Sequence, residues 1–179
     1  MISIGQKNVG RIAERIVANE LEARGFRVSD LNKEGVAANA DLLAVSPNQT
    51  LQVQVKGAAN GPKDRWWVGY GHFSKEFLGG KERWFNRKES FYKANVVVLV
   101  AVRSPIHYSC IVMPVDKAEQ AAELHRAAFQ AKGWLNATKT HMSLEPPPRA
   151  KETLHIIKER KLLALYRDER GWTRLLQSK

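Results

Sequence analysis

The sequence predicts an α/β protein with a mixed central sheet flanked by helices. Three observations lead there. The chain opens on an amphipathic helical stripe, with Val9, Ile12, Ala13, Ile16, Val17 and Leu21 on one face and Arg11, Arg15, Asn19 and Glu22 opposite. Two short runs, residues 41–45 (DLLAV) and 51–56 (LQVQVK), follow on either side of a turn, as hairpin partners do. Residues 94–102 (ANVVVLVAV) are apolar almost throughout, as in a strand covered on both faces.

In order, the stripe predicts a first helix over residues 6–24, with Gly25 as its stop. Gly10 lies inside that helix, where glycine costs roughly 0.8–1.0 kcal/mol relative to alanine, so a close approach to its face is expected. A strand begins at residues 26–28, and a polar loop covers 29–39. Strand 41–45, the turn Ser46-Pro47-Asn48-Gln49 and strand 51–56 come next. A loop then covers 57–64 (GAANGPKD). Residues 65–73 read as a strand interrupted by glycines. Residues 74–92 are charged and aromatic without a clean period. After strands at 94–102 and 109–115, Asp116 is expected to cap a helix reaching about Lys132. Pro146 to Pro148 close the compact region, and a basic helical segment runs over 151–166. The expected division is one α/β domain over 1–142 and a proline-containing linker with a basic helical arm over 143–179.

Composition narrows the function. Of 179 residues, 44% are hydrophobic, and 29 basic against 18 acidic residues give a net charge of +11. The surplus is uneven: residues 1–56 hold 7 Lys/Arg and 6 Asp/Glu, whereas 57–179 hold 22 and 12. Such a surplus favours polyanions, because phosphates that bind cations release their counterions. No apolar run approaches the roughly 18 residues of a membrane span, so no membrane partner is expected. One cysteine, Cys110, rules out an intrachain disulfide and a cysteine-rich zinc site. The first residues lack the pattern of a secretory signal, and the expected setting is reduced and cytoplasmic.

Three polar positions occupy awkward places. Glu14 borders the apolar stripe, one turn after Gly10. Asp41 opens an apolar strand, where aspartate is disfavoured. Lys56 ends the next strand, with Gln54 on the same face. Pairing of the two runs brings Asp41 beside Gln54 and Lys56. Asp41 and Glu14 then offer carboxylates, Gln54 an amide oxygen and Val55 a backbone carbonyl, the oxygen donors that Mg²⁺ prefers. The plain alternative is that Gln52, Gln54 and Lys56 form the solvent face of a strand, with Asp41 as a turn cap and Glu14 on the helix surface.

Gly10-x-x-x-Glu14, Asp41 and Gln54-x-Lys56 together resemble the PD-(D/E)xK, or restriction-endonuclease-like, nuclease superfamily in its Q-x-K form. The resemblance covers residues 6 to about 115. It implies a restriction-endonuclease-like core and a metal-dependent endonuclease that hydrolyses phosphodiester bonds in DNA. Asp41, Gln54 and the Val55 carbonyl would be metal ligands, Glu14 an auxiliary ligand and Lys56 the catalytic lysine. The cofactor would be Mg²⁺, with Mn²⁺ as substitute. Such enzymes often act as dimers, so a homodimer is an expectation of the same kind. Two departures stand out: Ala40 replaces the usual proline, and Gln54 replaces the usual acid, which removes a negative charge from the site. The alternative is an inactive nucleic-acid-binding protein of the same fold.

Other features rank lower. Trp66, Trp67 and Trp84 lie among cations, a composition that can stack on bases. His72 is within reach of a phosphate if it is not structural. The run Lys158, Arg160, Lys161, Arg167, Arg170 and Arg174 reads as a solvated helix face. His107, His125, His141 and His155 show no shared metal spacing.

Overall fold

The computed structural model describes residues 6–32, 40–59, 65–68, 72–78, 81–87, 94–104, 106–130, 140–143 and 154–177. Helix α1 spans Gln6–Ala23 and buries Val9, Ala13, Ile16, Val17 and Leu21, the stripe read from the sequence. It ends as expected at Gly25, whose φ of 85° is left-handed. The amide of Phe26 returns to the Leu21 carbonyl (3.1 Å) and that of Gly25 to Glu22 (2.9 Å), satisfying two carbonyls of the last turn.

Strands β1 (Arg27–Asp30), β2 (Leu42–Val45) and β3 (Thr50–Ala58) follow. Two boundaries move. Ser29 and Asp30, expected in a loop, belong to β1, because Val28 and Leu31 supply enough apolar anchorage to pair Arg27–Asp30 against Leu42–Val45. Gly57 and Ala58, also expected in a loop, extend β3 along a parallel neighbour. Strand β4 (Arg65–Val68) covers the first part of the run 65–73. The stretch without a period contains a hairpin, β5 (His72–Leu78) and β6 (Lys81–Arg87). Then come β7 (Val96–Ser104), β8 (His107–Pro114) and α2 (Val115–Gln130). Asp116 is the second residue of α2, in its first turn and not at the cap expected for it. Strand β9 (Thr140–Ser143) pairs with β4, and α3 (Leu154–Leu165) and α4 (Glu169–Gln177) complete the chain.

The central sheet has the order β1-β2-β3-β7-β8. All neighbours are antiparallel except β3 and β7, so the sheet is mixed and flanked by helices, as the patterning predicts. The continuous apolar run of β7 has a simple cause. Val96, Val98, Val100 and Val102 pack with α1 on one face, while Val97, Leu99 and Ala101 pack with Ala118, Ala121 and Ala122 of α2 on the other. Each fully buried valine or leucine contributes about 1.5–3 kcal/mol. Among the described residues no helix is long and apolar enough to cross a membrane.

The C-terminal helices lie against both faces. Leu163 of α3 joins the α2-side cluster, and Trp172 and Leu175 of α4 join the α1-side cluster. Between them the chain meets the edge of β8: the Val112 amide donates to the Tyr166 carbonyl (2.9 Å) and the Asp168 amide to Cys110 (2.7 Å). A Cβ on Gly171 would lie 2.1 Å from the Tyr166 oxygen, so only glycine fits there. Arg24 ties α1 to this end. It pairs with Glu20, bonds Glu169 at 2.7 Å and lies 4.8 Å over the Trp172 ring.

Candidate active site

The site forms where β2 parts from β3. The last paired residues of that ladder are Leu42 and Val53, and the Asp41 amide still donates to the Val53 carbonyl at 2.9 Å. One step further, the acceptor for the Val55 amide is the side chain of Asp41 (Oδ2, 2.7 Å). A carboxylate thus replaces a backbone carbonyl at the end of the ladder, leaving a notch in the sheet. In a strand, the N–H and C=O of one residue leave on the same side, so the Val55 carbonyl opens toward the notch as well.

Asp41 Oδ1 accepts from Asn32 Nδ2 at 3.4 Å, and the Asn32 amide donates to Asp30 Oδ1 at 3.1 Å. Gln54 and Lys56 lie on the β3 face shared with Val97 and Leu99, and both are half-buried. The Oε1 of Gln54 is closed off from solvent yet accepts no hydrogen bond among the described residues. Leaving a buried acceptor unmet costs about 1–3 kcal/mol. That orphaned oxygen is the feature a solvent-facing glutamine would not show.

Glu14 reaches the notch from α1. Its carboxyl is pushed above the usual range, first by burial and then by the nearby carboxylates of Asp41 and Asp30, while Lys56 and Arg11 oppose the rise. Asp41, Asp30, Lys56 and Arg11 are thus the charged groups within electrostatic reach of Glu14. A cleft of about 490 Å³ runs from Glu14 along α1, lined by Arg11, Arg15, Glu22, Asp30 and Asn32 among others.

Among the described residues no three His, Cys, Asp or Glu side chains gather as a metal-holding group. Any ion at the notch has to draw on amide and carbonyl oxygen besides carboxylate. The residues present fit that demand: Asp41, Glu14, Gln54 Oε1 and the Val55 carbonyl are all hard oxygen donors, and Gln54 Oε1 has no other partner.

Other expectations change. The close approach expected at Gly10 is absent, since a Cβ there would meet nothing within 4 Å; it occurs instead at Gly57. Trp66 is 1% exposed and its Nε1 donates to the Val100 carbonyl at 3.1 Å, so it is a core residue and no platform for bases. The side chains of His72, Trp67 and Trp84 lie outside the described residues. Asp30, Asn32 and Gly57 were missed as site residues. For Asp30 the available signal was the alternation Val28–Asp30, continuing the strand begun at Phe26.

The fold is a mixed α/β sheet whose β2–β3 ladder ends at the Asp41 carboxylate. No family model matches the chain, and no curated protein does. Among solved structures, a bacterial homing endonuclease, I-Ssp6803I, superposes with a TM-score of 0.49 at 15% sequence identity, over 97% of this chain and 95% of that one. A likeness of that strength transfers no function, and the geometry of the notch must carry the reading.

Proposed function

We propose that the chain is a Mg²⁺-dependent endonuclease that hydrolyses phosphodiester bonds in DNA. The observation that supports this reading is the unmet Gln54 Oε1, buried on β3 one step past the β2–β3 ladder and next in sequence to Val55, whose amide the Asp41 carboxylate holds.

In this reading Asp41, Gln54 Oε1, the Val55 carbonyl and Glu14 hold the ion. When bound, Mg²⁺ polarises a phosphoryl oxygen and acidifies water. Lys56 orients the attacking water and offsets charge gathering on the phosphorus oxygens; the new P–O bond forms as the bond to the departing sugar oxygen breaks. The net charge of +11 favours a polyanionic substrate.

A second reading has its own observation. Both oxygens of Asp41 already accept hydrogen bonds, from Val55 and Asn32, as in a strand cap. Together with the neutral Gln54, this favours an inactive DNA-binding protein of the same fold. Supercoiled plasmid incubated with Mg²⁺ or Mn²⁺ separates the two. Nicking that Asp41→Asn and Lys56→Ala abolish supports the enzyme. Salt-sensitive DNA binding with no nicking in either metal defeats it.

A further inference from the structure

We infer that Gly57 is a positioning residue: its missing side chain lets α1 close onto β3 and sets Glu14 against the Asp41 and Lys56 side of the notch. The inference rests on the nuclease reading above and deepens it.

Gly57 lies within β3, where glycine is unfavourable unless something else requires it. Its backbone does not, because Gly25 is the glycine with positive φ among the described residues. The requirement is space. A Cβ on Gly57 would lie 2.8 Å from the Val9 carbonyl oxygen, 2.9 Å from the Ala13 Cβ and 3.1 Å from Val9 Cγ1. The first two atoms are backbone or fixed directly to it, so no rotamer change relieves the contact. The whole helical turn has to retreat, by about 0.6 Å to bring 2.8 Å to an ordinary 3.4 Å.

That turn is the one that carries the site. Glu14 follows Ala13 and moves with it. On the strand, Lys56 precedes Gly57, and Val55 is held by the Asp41 carboxylate. Gly57 therefore sits at the contact between the element bearing Glu14 and the element tied to Asp41 and Lys56. Misplacing a catalytic group by about 1 Å lowers rates on the order of 100-fold, so a retreat of this size is large enough to read.

A double-variant cycle on the full chain tests it. Gly57→Ala is expected to lower plasmid cleavage at saturating DNA by about 10- to 100-fold. DNA affinity measured without divalent metal should stay within about twofold, because the polyanion-binding surface does not depend on this contact. Added to Glu14→Gln, Gly57→Ala should cause no further loss, because both act through the same carboxylate. Mn²⁺ binding measured by calorimetry without DNA should follow the same non-additive pattern. Gly57→Ala combined with Ala13→Gly removes the 2.9 Å contact and should recover part of the loss. If Gly57→Ala alone does not fold, the cycle is run on this pair. Losses that multiply, or unchanged turnover and Mn²⁺ binding in Gly57→Ala, overturn the inference while the nuclease reading stands. A parent chain that neither cuts DNA nor binds Mn²⁺ defeats the nuclease reading and this inference with it.

Discussion

Among the described residues, Glu159 and Glu14 are two carboxylates held away from bulk water, and they differ in what meets the acid. Between α2 and α3, His125 and Glu159 are 4% and 1% exposed and meet through Nδ1 and Oε2 at 2.9 Å. At the notch, Glu14 is half-buried beside two other carboxylates, and Gln54 offers an oxygen that nothing accepts. The first cluster answers its buried acid with a partner. The second sets Glu14 near Asp41 and Asp30, with Lys56 and Arg11 offsetting only part of that repulsion, and leaves the Gln54 acceptor empty. Groups held in such conflict gather at functional sites, because the missing partner is supplied by what binds.

The comparison predicts that damage to the two clusters separates cleanly into activity and stability. Lys56→Ala should lower DNA cleavage by about 100-fold or more, the scale of removing one group that stabilises transition-state charge. Its denaturation midpoint should barely move, since a half-buried lysine side chain anchors little. A Lys56→Ala variant that unfolds as readily as it loses activity would place Lys56 with the structural cluster instead. His125→Ala should do the reverse, lowering unfolding free energy by about 1–3 kcal/mol through the lost ring and its hydrogen bond to the buried Glu159. Urea unfolding followed by circular dichroism measures it. A midpoint shift worth less than about 1 kcal/mol would show that α3 opens to hydrate Glu159, and the contrast between clusters would collapse.

A smaller effect lies between the clusters. Asn32 gives Asp41 its second hydrogen bond, at 3.4 Å and exposed. Asn32→Ala should therefore slow cleavage only a few-fold, in keeping with about 0.5–1.5 kcal/mol for a hydrogen bond. A loss as large as that of Lys56→Ala would make Asn32 a participant in the chemistry rather than a support for Asp41. Single-turnover rates distinguish the two.

How much of this was legible depended on how local each signal is. Asp41, Gln54 and Lys56 lie within one hairpin, so alternation alone brought them together. Glu14 could be placed by its position on the apolar stripe of α1. Asp30 was legible only through the short alternation from Phe26 and Val28, because RVSD is too polar to read as a strand to its end until Leu42–Val45 pairs with it, and Asn32 carried no signal. Gly57 was read as the start of a loop, and close approach was assigned to Gly10, because a glycine inside a helix is conspicuous while one at a strand end looks like a terminus. The hairpin β5–β6 had no period to read. Helix α4 was legible only as part of the basic helical arm over 143–179: its buried anchors besides Gly171, Trp172 and Leu175, are three residues apart, too short a pattern to mark a separate helix.

The finest test of the contrast is a stability gain at the notch. The carboxyl of Glu14 is held above its ordinary range by burial and by Asp41 and Asp30, so the folded chain keeps that proton more tightly than the unfolded chain does. Its contribution is most favourable at pH values below the unfolded carboxylate range, and is lost as pH rises through the raised folded value. Above that window the ionised Glu14 works against folding. Glu14→Gln removes the charge and keeps the shape, so at neutral pH the variant should melt slightly above the parent, by a few degrees at most given how exposed the group is. The gap should close as pH falls toward the ordinary glutamate range, where the parent is protonated too. A His125→Ala variant gains nothing under the same conditions. If Glu14→Gln instead melts lower at neutral pH, Glu14 is a partnered residue like Glu159, and the two clusters obey one rule.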